Sequence, residues 1–247
     1  MKPLPHPKMV LFDHDGTVVD SETIALKSAW KLTNEVACEF SGAQHYELED
    51  FVKSFAGKPY REILKKIYAD SSTNINERDI DRLVAEEEKR AIERLSVEAK
   101  ATEGTPEVLS SLHDDGFEYA LVSNSSLQRL SACLTAAALT DYFPSDQIFS
   151  AHDSLPVPRP KPLPDIYLHA VKCLDAEVSD CVAVEDSLSG VRAAVAAEIG
   201  QIIGYVGGTH ISEEERSSRA EGLQSAGAHQ VIERMDDLIG LLSATPV

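Results

Sequence analysis

The chain has 247 residues, 43% of them hydrophobic, which is enough for a substantial buried core in one large or two small domains. Its 41 Asp and Glu against 23 Lys and Arg give a formal charge of -18, which opposes long-range attraction to nucleic acid or to an anionic membrane. An anionic small molecule is then expected only at a locally positive site, of the kind that a divalent cation and one or two lysines create.

From the N-terminus, Met1 to Val10 carries two lysines and three prolines, and the apolar run that follows is cut by Asp13. No signal-peptide core is read there, and no apolar stretch approaches the roughly 20 residues of a membrane span, so the protein is expected in the cytoplasm. Met9 to Phe12 reads as a short buried strand that runs into a turn of Asp13, His14, Asp15 and Gly16. From Ser21 to about Glu98 no strand pattern appears and the segment reads as helical. In its last part Ile80, Leu83, Val84, Ala91, Ile92 and Leu95 share one helix face, with Glu86 to Glu88 as a solvated cluster opposite it or at its edge. Lys53 to Arg61, with its glycine and lysines, reads as an exposed loop.

Thr105 as N-cap, Pro106 in the first turn and Gly116 at the end bracket a further helix. Glu118 to Val122, Gln147 to Ser150, Cys181 to Val184 and Gln201 to Val206 are short strand candidates, separated for the most part by amphipathic segments. This alternation predicts an α/β fold: a mainly parallel sheet with helices on both faces. It is assembled from residues 1–19 and 99–247, with an all-helical domain, 20–98, inserted between. Cys38, Cys133, Cys173 and Cys181 have no paired spacing, so neither a zinc site nor a disulfide framework is expected.

In such sheets ligands bind outside the carboxyl ends of the strands. Four ends carry chemistry-bearing residues: Asp13-His14-Asp15-Gly16-Thr17, then Ser123-Asn124-Ser125, then Lys161-Pro162, and Glu185-Asp186-Ser187 with Gly190 beyond. Taken singly, the first is a turn, the second a helix cap and the third a solvated loop. Their joint order, with a helical insert between the first and second, resembles the four motifs of the haloacid dehalogenase-like superfamily. The likeness is closest to its beta-phosphoglucomutase and sugar-phosphatase branch, including 6-phosphogluconate phosphatase-like members.

The resemblance implies a Rossmann-like core with a helical cap and Mg2+-dependent phosphoryl transfer through a phospho-aspartate. Asp13 would be the nucleophile, and Asp15 would protonate the departing alkoxide and later deprotonate water. Asp13, Asp186 and the Asp15 carbonyl would ligate Mg2+, with Glu185 holding a metal-bound water or joining the ligands. Ser123 would bind a phosphate oxygen, Lys161 that phosphate and Asp13, and Thr17 would complete the cradle. Asn124 would position the leaving group or the loop. His14 departs from the apolar residue or cysteine that family members carry there, which bears on packing below the site.

Residues also separate the activities that share this fold. Asp15 argues against dehalogenation, which needs no acid. The mutase carries a hinge histidine where this chain has Ala25, and a cap arginine three residues after a glycine, where Tyr60 follows Gly57 and Arg61 stands one step off. A phosphonate-cleaving enzyme would need a cap lysine as Schiff base, for which Lys53 and Lys58 are the candidates. The reading that remains is a phosphatase for a sugar or sugar-acid phosphate. Lys53, Lys58, Tyr60 and Arg61 are its candidate substrate contacts. A catalytically silent binding protein would have been free to lose Asp13, Asp15, Ser123, Lys161 or Asp186, and none is lost.

Overall fold

The computed structural model describes residues 8–40, 44–55, 58–70 and 75–242. The described chain divides into two compact units. One comprises the residues up to Asp20 together with those from Lys100 onward, the other Ser21–Ala99.

The first unit is α/β. Its strands are β1 (Met9–Phe12), β2 (Val19–Asp20), β3 (Lys100–Ala101), β4 (Glu118–Ser123), β5 (Ile148–Ser150), β6 (Cys181–Glu185), β7 (Gln201–Tyr205) and β8 (Gln230–Ile232). Six of them form one sheet in the order β5-β4-β1-β6-β7-β8, every neighbouring pair parallel. Parallel pairing requires crossovers, and buried strands on both faces explain the continuous Val, Ile and Leu runs read from the sequence. Met9, Leu11, Ala120, Val122, Cys181 and Ala183 join the core on one face. Alternate residues Val10, Phe12, Leu121, Val182 and Val184 are equally buried on the other.

The second unit is helical, with α1 (Glu22–Val36), α2 (Leu48–Phe55), α3 (Tyr60–Asp70) and α4 (Glu77–Glu98). Its core joins Leu26, Leu32, Phe51, Phe55, Ile63, Leu64, Ile80 and Leu83. Asn76 caps α4, its side chain accepting from the Asp79 amide at 2.9 Å. The expected acidic cluster is only partly solvated. Glu86 and Glu88 are partly exposed, but Glu87 lies on the i, i+4 row of Leu83, Ala91 and Leu95 and is buried with them. The Lys53 to Arg61 segment is also less of a loop than its composition suggests. Here α2 runs through Lys53 to Phe55, and Tyr60 and Arg61 open α3.

The remaining helices belong to the α/β unit: α5 (Thr105–Asp114), α6 (Leu127–Ala136), α7 (Asp165–Cys173), α8 (Leu188–Ala196), α9 (Glu213–Ala226) and α10 (Asp237–Leu242). Helices α7, α8 and α9 cover the face that holds Leu11 and Ala183. Gly104, not Thr105, is the N-cap of α5; its φ of +81° suits a residue without Cβ, and Thr105 is already helical. Two strands escaped the sequence reading as a pair. Val19–Asp20 and Lys100–Ala101 form an antiparallel ribbon through which the chain leaves the α/β unit and returns, and two residues are too few to show a period. Among the described residues no helix is long and apolar enough to cross a membrane.

Candidate active site

Register brings the motifs together. Phe12 is level with Leu121 of β4 and with Val184 of β6, so Asp13, Ser123 and Glu185 emerge at one edge of the sheet. The Asp13 amide donates to the Val184 carbonyl at 2.9 Å, extending the ladder by one residue and fixing the turn. Gly16 then adopts a φ of +83°. A Cβ there would stand 2.4 Å from Asp186 Oδ2, so the turn needs glycine for both conformation and space.

The centre of the site is a buried lysine. Lys161 Nζ donates to Asp13 Oδ1 at 2.7 Å, Glu185 Oε1 at 2.6 Å and the Val122 carbonyl at 2.6 Å, which uses all three of its protons. Asn124 holds the lysine loop, its Oδ1 accepting from the Lys161 amide at 2.7 Å. Glu185 Oε1 also accepts from the Tyr167 hydroxyl at 2.5 Å, and Gly190 makes room for its other oxygen, since a Cβ there would fall 1.7 Å from Oε2.

Asp13, Glu185 and Asp186 each offer a ligand atom within 4.8 Å of one another, and all three residues are buried. One lysine cannot balance three carboxylates. Burial foremost, and then Glu185, Asp186 and Asp15, raise the Asp13 pKa well above the usual range despite Lys161. Burial also raises Glu185 against the pull of Lys161, with the Asp186 charge adding to it. The lysine itself is raised, because Asp13 and Glu185 outweigh the burial that would lower it. Excess negative charge on hard oxygen donors is what a hard divalent cation would offset, so the donor set fits such an ion.

Asp15 is in a different electrostatic setting. Its Oδ1 accepts from Arg129 Nη2 at 2.9 Å and its Oδ2 from Ser125 Oγ at 2.6 Å. Ser123 Oγ lies 3.5 Å from the same Oδ2 and accepts from the Ser125 amide at 3.0 Å. Burial would push Asp15 up, but Arg129, His14 and Ser125 hold it well below the usual carboxylate range. His14 is fully buried, its Nδ1 3.4 Å from Asp15 Oδ2 and its Nε2 without a hydrogen-bond partner among the described residues. Thr17 is likewise buried with its hydroxyl unpartnered among the described residues, while its carbonyl accepts from Thr102 at 2.6 Å.

The sequence reading named Asp13, Asp15, Thr17, Ser123, Asn124, Lys161, Glu185 and Asp186, all now placed at these strand ends. It quoted Ser125 within its motif without giving it a role, and it missed Arg129 and Tyr167, which carry no motif of their own, and His210, whose Nε2 lies 3.1 Å from Asp186 Oδ2. His210 follows β7, so the rule about carboxyl ends was the available signal. In the helical unit, Lys53 and Lys58 are exposed. Tyr60 is buried with its hydroxyl 3.1 Å from Thr33 Oγ1, and Arg61 pairs with Glu77 at 2.9 Å and with Asp81. Gly57 lies outside the described residues.

A family model described as haloacid dehalogenase-like hydrolase matches residues 7–198. The chain is 32% identical over 196 residues to phosphoglycolate phosphatase of Nitrosospira multiformis, covering 79% of this chain and 81% of that one. It is 27% identical over 188 residues to 6-phosphogluconate phosphatase of Escherichia coli, covering 76% and 78%. A conserved haloacid dehalogenase-like protein of unknown function from Agrobacterium tumefaciens superimposes with a TM-score of 0.78 at 33% identity, covering 96% and 98%.

Proposed function

Because the chain belongs to the haloacid dehalogenase-like hydrolases, we propose that it is a Mg2+-dependent phosphatase that cleaves a sugar-acid phosphate through a phospho-aspartate on Asp13. The observation that carries this reading is the convergence of Asp13, Glu185 and Asp186, two of which pair with the buried Lys161. Asp13, Glu185 and Asp186 would hold Mg2+, which when bound offsets the repulsion between an anionic phosphate and an anionic nucleophile.

The rest of the chemistry belongs to the chain. Lys161 fixes the Asp13 carboxylate through Oδ1 for in-line attack, and as the Asp13 oxygen bonds to phosphorus the ester O–P bond breaks. Asp15 gives its proton to the departing alkoxide, then takes one from the water that attacks phosphorus and restores Asp13. Arg129 keeps Asp15 ionised in the resting site, which suits the water-activating half-reaction. For the first half-reaction Asp15 takes a proton from solvent as the ester enters, and it returns one to solvent as phosphate leaves. Ser123 and the buried Thr17 hydroxyl supply donors for phosphate oxygens.

The relatives support the substrate class. The two described above are named for phosphoglycolate and 6-phosphogluconate, both phosphorylated carboxylic acids. The inserted helical unit would serve as the cap that ranks substrates, with exposed Lys53 and Lys58 as carboxylate contacts. Arg61 already has carboxylate partners in Glu77 and Asp81. A screen of phosphate esters with and without Mg2+ in 18O-labelled water tests the proposal. Carboxylated esters should turn over fastest, only with the metal, and with label in the released phosphate at each turnover. Isomerisation of a sugar phosphate with little free phosphate would make the chain a mutase instead.

A second expectation follows from the buried carboxyls. Asp13 and Glu185 have folded-state pKa values raised by burial, so their contribution to stability is complete below the ordinary carboxylate range and declines as pH rises through the raised values. Mg2+ competes with protons for these groups. The rise in thermal midpoint on adding Mg2+ should therefore be small near pH 5 and grow toward neutral pH. Near neutral pH the stabilisation behind it should approach about 2.7 kcal/mol at a metal concentration one hundred times the Kd. A shift independent of pH would remove both residues from the ligand set.

A further inference from the structure

The segment after β7 runs Gly207-Gly208-Thr209-His210-Ile211 and lies against the Asp13 turn. Several features build the placement of its histidine. A Cβ on Gly208 would stand 2.7 Å from the Gly16 carbonyl and 2.7 Å from His210 Cε1, and one on Gly16 would meet His210 Cε1 at 2.6 Å. The two glycines thus form the slot that holds the ring. On one side Thr209 is fastened by its amide and hydroxyl to Asp20 Oδ1, at 3.2 and 3.0 Å. On the other Ile211 is buried, and its amide donates to the Gly208 carbonyl at 3.0 Å. The His210 side chain is 9% exposed, and its Nε2 faces Asp186 Oδ2 at 3.1 Å.

We propose that His210 is a positioning residue for Asp186, its Nε2–H holding one carboxylate oxygen so that Asp186 presents a fixed geometry to the divalent cation. The inference rests on the cation reading of the site. Outer partners of this kind select the lone pair a carboxylate turns toward a metal, and their loss typically lowers metal affinity by about 10- to 100-fold. The imidazole does so without adding a ligand, since the clustered donor atoms are those of Asp13, Glu185 and Asp186.

The test is titration of the full chain with MgCl2 by calorimetry, for the parent, His210→Ala and His210→Gln, alongside thermal midpoints of the metal-free proteins. Glutamine can place an amide N–H near the position of Nε2. His210→Ala should bind Mg2+ about 10- to 100-fold more weakly, and His210→Gln within about threefold of the parent. The metal-free midpoints should stay together. At saturating Mg2+ the alanine variant should recover its turnover with an unchanged KM for the ester. Equal affinity in parent and His210→Ala would overturn the proposal, and so would a loss in His210→Gln as large as in His210→Ala. A parent that binds no Mg2+ would fail the cation site itself, and the role of His210 with it.

Discussion

Asp13→Asn is expected to lower phosphate release by at least about 10^4-fold, because an amide cannot form the covalent intermediate through which both displacements pass. The fold should not suffer. An asparagine carbonyl still accepts from Lys161 Nζ at the position of Oδ1, and the change removes a carboxyl that burial and its neighbours push upward. The thermal midpoint of the metal-free variant should therefore equal or exceed that of the parent. Mg2+ affinity should fall, since one of the three clustered carboxylates is neutral. Retention of near-parental turnover, with back-conversion by deamidation excluded by mass spectrometry, would remove Asp13 from the role of nucleophile.

Lys161→Met should fail in both stability and chemistry. The lysine is the shared cation of Asp13 and Glu185, and removing one partner of a buried ion pair leaves charge without compensation, at a cost of about 3–5 kcal/mol. The pH signature distinguishes this from a packing defect. The Lys161 pKa is raised in the folded protein, so its stabilising contribution is complete below the ordinary lysine range and is lost only at higher pH. At neutral pH the variant therefore forfeits all of it. In mild acid the two orphaned carboxyls protonate and the deficit should shrink. Urea unfolding at about pH 5 and about pH 8 measures both values, and an equal deficit at the two would show that volume, not charge, is what Lys161 supplies. Turnover should drop by at least about 10^2-fold, as for loss of a single donor to developing charge.

Strands β1, β4, β5, β6 and β7 were readable, and β8 was not; buried parallel strands leave continuous apolar runs, as in Met9–Phe12 and in Cys181 to Val184 of β6, and each of these two runs is broken by the charged residue that follows it. Lys161 was readable only through the motif order, since a Lys-Pro step in a proline-rich loop carries no signal of burial. Arg129 and Tyr167 were not readable at all, and Ser125 only as a member of its motif without a partner. Each reaches its partner across strands that only the register brings level, and Arg129 on α6 looks like any exposed helix cation until Asp15 is placed beside it. Tyr60 illustrates the opposite error of emphasis. Next to lysines and a glycine it resembled a surface contact, but as the first residue of α3 it turns into the helical core, where its hydroxyl meets Thr33. Burial also raises the phenol to well above its ordinary range, as expected for a group withdrawn from water.

The two-residue ribbon of Val19–Asp20 and Lys100–Ala101 has a consequence in polymer terms. Asp20 and Lys100 are directly paired across it, so the ends of the intervening segment stand as close as those of a tight hairpin. Closing a loop around an unstructured chain of that length would carry an entropy penalty that grows with the logarithm of the number of residues. A segment that folds with its own ends side by side carries almost none of it. Seen from the sheet, the whole helical unit therefore behaves as a short turn, and β1 and β4 pair across it as if they were near neighbours in sequence.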